Sequence, residues 1–314
     1  MQAIPRLVTY GRAELAKVIV GQSELIDGTL TALLCGGHAL IEGVPGLGKT
    51  LSVKVLARAL NVTFQRVQCT SDLMPADLLG SNILNLQNGT FSLHHGPMFT
   101  DLLLVDEVNR MPPRTQASLL ESMEERQVTV DGVRHSLSPL FTVLATQNPV
   151  EFEGTYPLPE AQLDRFLLKI KIGYPSAQEE LEILAKHNHP PTSLTEAAEI
   201  APIEPEVLRQ ARLELRQLTV EPSLLGYISE IARRTRTWPS VSLGASPRAG
   251  ISLMLVAKAL AALAGRDYVI PDDVKAAVLP ALRHRIVLRP EAELEGLDAD
   301  RVLTDVLAAV EVPK

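Results

Sequence analysis

The sequence predicts an α/β fold in which a buried parallel sheet carries the chemistry and a helical region forms the C-terminal third. Three observations predict it. Apolar runs at Leu102–Val105 and Leu140–Ala145 read as strands buried on both faces, each ending in polar residues. A further apolar run over residues 38–42 breaks into a glycine-rich turn that opens a helical pattern. From Pro205 onward, EVLRQARLELRQL, SLLGYISEIARRTR and ISLMLVAKALAAL all place apolar residues at helical spacing.

Along the chain, helices are expected over about 11–18 and 22–35, separated by the elbow Val20-Gly21-Gln22. Another follows the glycine-rich turn over 49–60, and Val62–Cys69 reads as the next strand. Ser81–Leu86, Asn88-Gly89 and Thr90–His94 then predict a hairpin with a type I′ turn. Pro112–Glu125 reads as a helix, and Gln127–Leu137 as a second hairpin joined by Asp131-Gly132. Residues 166–175 read as the last strand of the sheet, with Lys169 and Lys171 on one face, and Ala177–Lys186 as a helix. The prolines of NHPPTSLTEAAEIAPIEPE mark a linker, which divides the chain into a core at 1–190, a linker at 191–204 and a helical domain at 205–314. Within the helical domain, Ile270-Pro271-Asp272-Asp273 opens a further helix.

The glycine-rich turn is Gly43-Val44-Pro45-Gly46-Leu47-Gly48-Lys49-Thr50, the pattern G-x-x-x-x-G-K-[ST]. Its glycines let the backbone turn tightly so that amides face phosphate oxygens, and the following helix adds its positive end. Lys49 supplies a point charge for the outer phosphates, and the Thr50 hydroxyl is a candidate Mg2+ ligand. These eight residues and Leu51 are the candidate nucleotide contacts.

The strand at 102–105 ends in Asp106-Glu107. Asp106 is placed to hold magnesium through water, and Glu107 to polarise the water that attacks a terminal phosphate. Read alone, two acids also fit a helix start, where carboxylates favour the positive dipole end. The strand at 140–146 ends in Gln147-Asn148-Pro149, where Asn148 is a candidate contact to the terminal phosphate or its water; Asn before Pro is equally an ordinary turn opener.

The order phosphate loop, acidic strand and Asn-terminated strand, with DEVNR at 106–110, LPEAQLDRF at 158–166 and GASPRAG at 244–250, resembles the MoxR family of AAA+ ATPases over about residues 15–290. The resemblance implies an AAA+ core, an αβα sandwich on a parallel sheet, with a small all-α lid, assembled as a ring, usually a homo-hexamer, with ATP between neighbours. It implies that Val20 lies against adenine, that Arg165 is the arginine finger, and that Arg248 is the lid arginine called sensor two. It also matches the two hairpins to the insertions of the family's helix-two-insert branch. Locally, Arg165 also fits a structural ion pair with Asp164 or Glu160, and Arg248 a surface pair. Ser246-Pro247-Arg248 reads as N-cap, first helical proline and a cation set against the helix dipole, which calls for an external anion.

By the same resemblance the activity is Mg2+-dependent ATP hydrolysis, the partners are von Willebrand factor A domain proteins, and the role is chaperone-like maturation of, or metal-cofactor insertion into, client complexes. The branch also includes magnesium-chelatase subunits and DNA-acting motors. A nucleic-acid motor is disfavoured by the net charge of −7 and by a 127–137 hairpin carrying only Arg134 besides His135.

Composition fits a globular chain of about two domains, with 46% hydrophobic residues over 314 positions and cores built from Leu, Ala, Val and Ile because aromatics are 4%. The longest apolar helix, near Leu253–Ala264, is too short to span a bilayer, and no secretory n-region and h-region open the chain, so a cytoplasmic location is expected. Cys35 and Cys69 read as buried free thiols, and the close histidine pairs lack further ligands, which leaves magnesium as the expected metal.

Overall fold

The computed structural model describes residues 2–44, 46–86, 89–149, 154–188, 200 and 202–313. Pro45 of the phosphate loop, Asn88 of the first hairpin and most of the expected linker therefore lie outside the described residues. The chain begins with α1 (Ala3–Val18), α2 (Ser23–Cys35), β1 (Ala39–Glu42), α3 (Lys49–Ala59), β2 (Phe64–Gln68), α4 (Pro75–Leu79), β3 (Gly80–Asn85), β4 (Thr90–His95) and β5 (Leu102–Asp106). It continues through α5 (Pro113–Glu125), β6 (Gln127–Val130), β7 (Val133–Ser136), β8 (Thr142–Gln147), α6 (Glu160–Leu163), β9 (Leu168–Lys171) and α7 (Ala177–His187). Then follow α8 (Pro205–Gln217), α9 (Pro222–Arg236), β10 (Val241–Leu243), α10 (Pro247–Leu263), α11 (Pro271–Leu282), β11 (Val287–Leu288), α12 (Pro290–Leu294) and α13 (Ala299–Ala308).

The sheet has the order β2-β5-β8-β1-β9, all parallel. Its side chains alternate between two cores, as the two-residue period of a strand requires. Leu102, Leu104 and Leu144 face a core shared with α1, α2, α3 and the lid helices. Leu103, Val105, Val143 and Ala145 face Leu119, Leu120 and Met123 of α5. The result is three layers, αβα, with the strand ends free to present polar groups.

The start of the first helix differs from the sequence expectation. Helix α1 begins at Ala3 rather than near residue 11. Its first backbone N–H groups, on Gln2, Ala3 and Ile4, donate to the Glu214 carboxylate of α8 at 2.8, 3.0 and 3.0 Å, a cap supplied from the far end of the sequence. In the first hairpin, strands β3 and β4 pair from Gly80↔His95 to Asn85↔Thr90, and the expected type I′ turn, with Asn88, lies partly outside the described residues. The second hairpin is as expected: Val130 pairs with Val133 across Asp131 and Gly132, both at positive φ (48° and 81°).

His38, just before β1, ties the sheet to α5. The Val143 N–H can only donate, so Nδ1 accepts from it at 2.9 Å and the proton sits on Nε2, which donates to the Met123 carbonyl at 3.1 Å. Burial, reinforced by the Arg126 charge, lowers its pKa to about 3. Between that value and the unfolded value of 6.5 the unfolded chain holds a proton that the folded chain does not. Stability is therefore complete above pH 6.5 and falls with pH, by about 1.4 kcal/mol per unit, or about 2 kcal/mol at pH 5. His284, buried with Nε2 at 3.0 Å from the Phe166 carbonyl and also lowered by burial, acts in the same direction. Urea unfolding at pH 7.5 and pH 5.0 should show this loss, and a flat profile would contradict it.

The lid docks on the sequence Leu163-Asp164-Arg165-Phe166. Arg285, its side chain 2% exposed, pairs with Asp164 at 2.7 Å. It also donates to the Phe166 and Leu167 carbonyls at 2.6 and 3.0 Å and to Ser252 Oγ at 3.0 Å. Lys171 of β9 and Arg283 of the lid share Asp300, each at 3.0 Å. Helix α8 lies against α1 and α2, with Arg212 donating to the Leu33 carbonyl at 2.8 Å.

Candidate nucleotide site

A cavity of about 400 Å3 opens at the C-terminal ends of the central strands, lined by Gly46–Leu51, Arg66, Gln68, Asp106, Glu107, Thr146 and Asn148. Gly46 and Gly48 adopt positive φ, 85° and 74°, and an added Cβ at either would meet nothing within 4 Å. Their requirement is conformational, and the space above them is free for an anion. Gly43 is held by contact instead, since a Cβ there would lie 3.0 Å from the Ile172 carbonyl oxygen. Lys49 Nζ reaches back to the Gly43 carbonyl at 2.5 Å. Burial lowers the pKa of this ammonium, and the charges of Asp106 and Glu107 partly offset the effect.

Asp106 is the hub. Its Oδ2 accepts from Thr50 Oγ1 at 3.3 Å and from Arg66 Nε at 2.6 Å, and its Oδ1 accepts from Thr146 Oγ1 at 3.2 Å. Thr146 in turn accepts from the Glu107 N–H at 2.9 Å. Glu107 occupies the left-handed region at φ 58°, a conformation that costs a non-glycine residue of the order of 1 kcal/mol and turns the chain sharply at the strand end. Its Oε2 accepts from Arg110 at 3.1 Å.

The sequence-predicted residues thus divide into groups. Gly46, Leu47, Gly48, Lys49, Thr50, Leu51, Asp106, Glu107 and Asn148 meet on the one cavity. Gly43 and Val44 precede it, and Val20 lies buried at the α1–α2 elbow, outside its lining. Arg165 and Arg248 are also outside it. They meet each other instead: Arg165 Nε and Arg248 Nη2 bind opposite oxygens of Glu124 at 2.7 and 3.1 Å. Arg165 therefore pairs with neither local acid, Asp164 being taken by Arg285. Ser246 caps α10, its Oγ accepting from the Ala249 N–H at 3.3 Å, with Pro247 first in the helix.

Sequence reasoning missed Arg66 and Gln68. Their signal was a two-residue spacing on a strand, which puts both on one face of β2, but nothing local says that this face adjoins Asp106. The register Gln68↔Asp106 does so. Among the described residues no group of three or more histidines, cysteines or carboxylates could hold a metal by itself.

Comparison with known proteins agrees with this geometry. Residues 38–168 match the family described as ATPase family associated with various cellular activities (AAA), and residues 233–306 match the AAA lid domain. The fold and site therefore define an AAA ATPase module with its lid. The chain is 45% identical over 303 residues to the uncharacterised protein YeaC of Bacillus subtilis, covering 95% of this chain and 92% of that one. It is 40% identical over 312 residues to Chaperone MoxR1 of Mycobacterium tuberculosis, covering 96% and 81%. It also superimposes on the crystal structure of a putative ATPase from Cytophaga hutchinsonii with a TM-score of 0.91 at 41% identity, covering 99% and 96%. The chain belongs to the MoxR family of AAA+ ATPases.

Proposed function

We propose that this chain binds and hydrolyses ATP and uses the cycle to remodel partner proteins. The observation that carries the reading is the convergence of an open glycine cradle, the Lys49 ammonium and the Asp106 and Glu107 carboxylates on one cavity. Backbone amides of residues 46–50 and Lys49 bind the phosphates, while Val20 borders the adenine. Hard oxygen donors suit magnesium, and the approach of Thr50 Oγ1 to Asp106 within 3.3 Å fits such an ion. Thr50 would hold it directly and Asp106 through water; when bound it neutralises charge on the phosphate oxygens. Glu107 takes a proton from water as the water oxygen attacks the γ-phosphorus. The bond from that phosphorus to the bridging oxygen breaks, and its electron pair leaves with ADP. Asn148 orients the water or reads the γ-phosphate.

Arg165 and Arg248 serve the site of a neighbouring copy. Their shared seat on Glu124, away from the cavity of their own chain, supports a common destination. This makes the active species a ring, which we assign as a homo-hexamer, with 1–190 as the ATPase core, 191–204 as linker and 205–314 as the moving lid. Similarity to a protein named as a chaperone supports a remodelling role. Von Willebrand factor A domain proteins are the proposed partners, client complexes the proposed targets and the cytoplasm the proposed location. The hairpins support a protein partner: Ile83, Leu84, Leu86, Phe91 and Val133 are exposed, a surface suited to apolar contact rather than to a phosphate backbone. Asn82 Nδ2 donates to Asp131 at 2.7 Å and links the two hairpins, while α5 joins Glu107 to the second.

Lys49→Ala tests the reading. Loss of a charge-assisted contact is expected to weaken ATP binding roughly ten- to a hundred-fold, as read by fluorescent-nucleotide titration. Unchanged affinity would exclude this cavity as the nucleotide site.

A further inference from the structure

A second cavity, of about 480 Å3, lies at the opposite end of β1 from the phosphate loop, where α2 ends and the sheet begins. Four cations from three separate parts of the chain line it: Arg126 after α5, Arg212 and Arg216 on α8, and Lys258 on α10. No carboxylate lines it, and none of the four forms an ion pair with an acid among the described residues. The concentration is local, because the chain as a whole carries a net charge of −7.

The cations crowd one another. A Cβ added at Gly36 would sit 3.5 Å from the Arg212 guanidinium carbon and 3.7 Å from Arg126 Nη2, so both guanidinium groups border one glycine. Arg212 and Arg216 are four residues apart on α8, where like charges repel. Burial, with the fields of Arg126 and Arg216, brings the Arg212 pKa down to about 10, and burial lowers that of Lys258.

Their hydrogen bonds go to carbonyl and hydroxyl oxygens. Arg126 donates to Phe141 at 3.1 Å and also to Gly36; Arg212 donates to Leu33, Pro139 and Leu140 and to Thr142 Oγ1; Lys258 donates to Arg216 at 3.3 Å. Such partners satisfy N–H groups without cancelling charge. Two other groups could have done so, and neither does in full. Cys35, which also lines the cavity, has its thiol pushed up to about 12 by burial and is neutral at physiological pH. Asp101 offsets the Arg212 charge only in part: its field reaches Arg212, but its carboxylate accepts from Thr63 and Ser138, forms no ion pair with Arg212 and stands outside the lining.

We propose that this cavity is a second anion site, distinct from the nucleotide site, that takes a compact polyanion of the condensed-phosphate type. The Arg216 guanidinium, which takes no part in those hydrogen bonds, can match phosphate oxygens two at a time, Arg126 and Arg212 attract the anion through charge their carbonyl partners do not cancel, and the Lys258 ammonium adds a point charge. The volume admits a chain of a few phosphates. Because Arg126 belongs to the core and Lys258 to a lid helix, one bound polyanion would join the two and restrain the lid angle.

The test uses the 314-residue chain carrying Lys49→Ala, which is expected to weaken anion binding at the phosphate loop, with inorganic tripolyphosphate as the probe in calorimetry at fixed ionic strength. Saturable binding is expected, and adding Arg216→Glu and Lys258→Glu should weaken it at least ten-fold and abolish the accompanying rise in melting temperature. Arg216 is exposed, so Arg216→Gln alone, which leaves the half-buried guanidinium groups of Arg126 and Arg212 in place, should weaken binding several-fold even if the double reversal folds poorly. Absence of saturable binding to the Lys49→Ala chain, or equal affinity in the Arg216 and Lys258 variants, would overturn the proposal.

Discussion

Replacing Arg165 by alanine should lower ATP turnover by roughly a thousand-fold or more while changing ATP affinity little, the size expected for an arginine that stabilises transferring phosphate in trans. The contrast between turnover and affinity follows from when the arginine acts. Arg165 is outside the cavity of its own chain, where the loop and Lys49 are expected to hold the ground-state nucleotide, and an arginine reaching in from a neighbour acts chiefly on charge that develops as the phosphoryl group transfers. A purely structural role predicts another outcome. Its partner Glu124 is about one-third exposed and keeps Arg248, so losing the pair should cost no more than about 1 kcal/mol of stability. Turnover and urea unfolding measured on one preparation separate the two: a turnover loss no larger than the stability loss explains would return Arg165 to the status of a surface ion pair.

The second large effect is expected from Glu107→Gln. An amide of nearly the same shape keeps the left-handed turn at φ 58° and can still meet Arg110, but it cannot accept a proton from water. Turnover should fall roughly a hundred- to ten-thousand-fold, the range for a positioned general base, with ATP still bound. Retention of labelled ATP together with absence of labelled phosphate release is the measurement. Normal turnover would remove Glu107 from the chemistry.

What the sequence disclosed follows the distance over which each feature is determined. The phosphate loop was legible because positive φ at Gly46 and Gly48 is a local demand that glycine meets. Strands β5 and β8 were legible because burial on both faces forces a continuous apolar run, and the second hairpin because Asp131-Gly132 fits a two-residue turn. Features set by partners remote in sequence were hidden. The start of α1 depends on a carboxylate at position 214, and Pro5 is tolerated in its first turn because an N–H there has no partner within the helix. Arg66 joins Asp106 only through the pairing of β2 with β5. Arg165 bears two acids within five positions, yet the fold gives one of them, Asp164, to Arg285 and brings Glu124 across from α5.

Mixing the two variants addresses the shared site most directly. An Arg165→Ala subunit keeps its own loop and base, and a Glu107→Gln subunit keeps its arginine, so each lacks what the other supplies. Combined in equal amounts under conditions that exchange subunits, the two inactive preparations should regain a substantial fraction of ATP turnover. If they form mixed assemblies and stay inactive, Arg165 does not complete a neighbour's site, and the account of a nucleotide held between two copies is wrong.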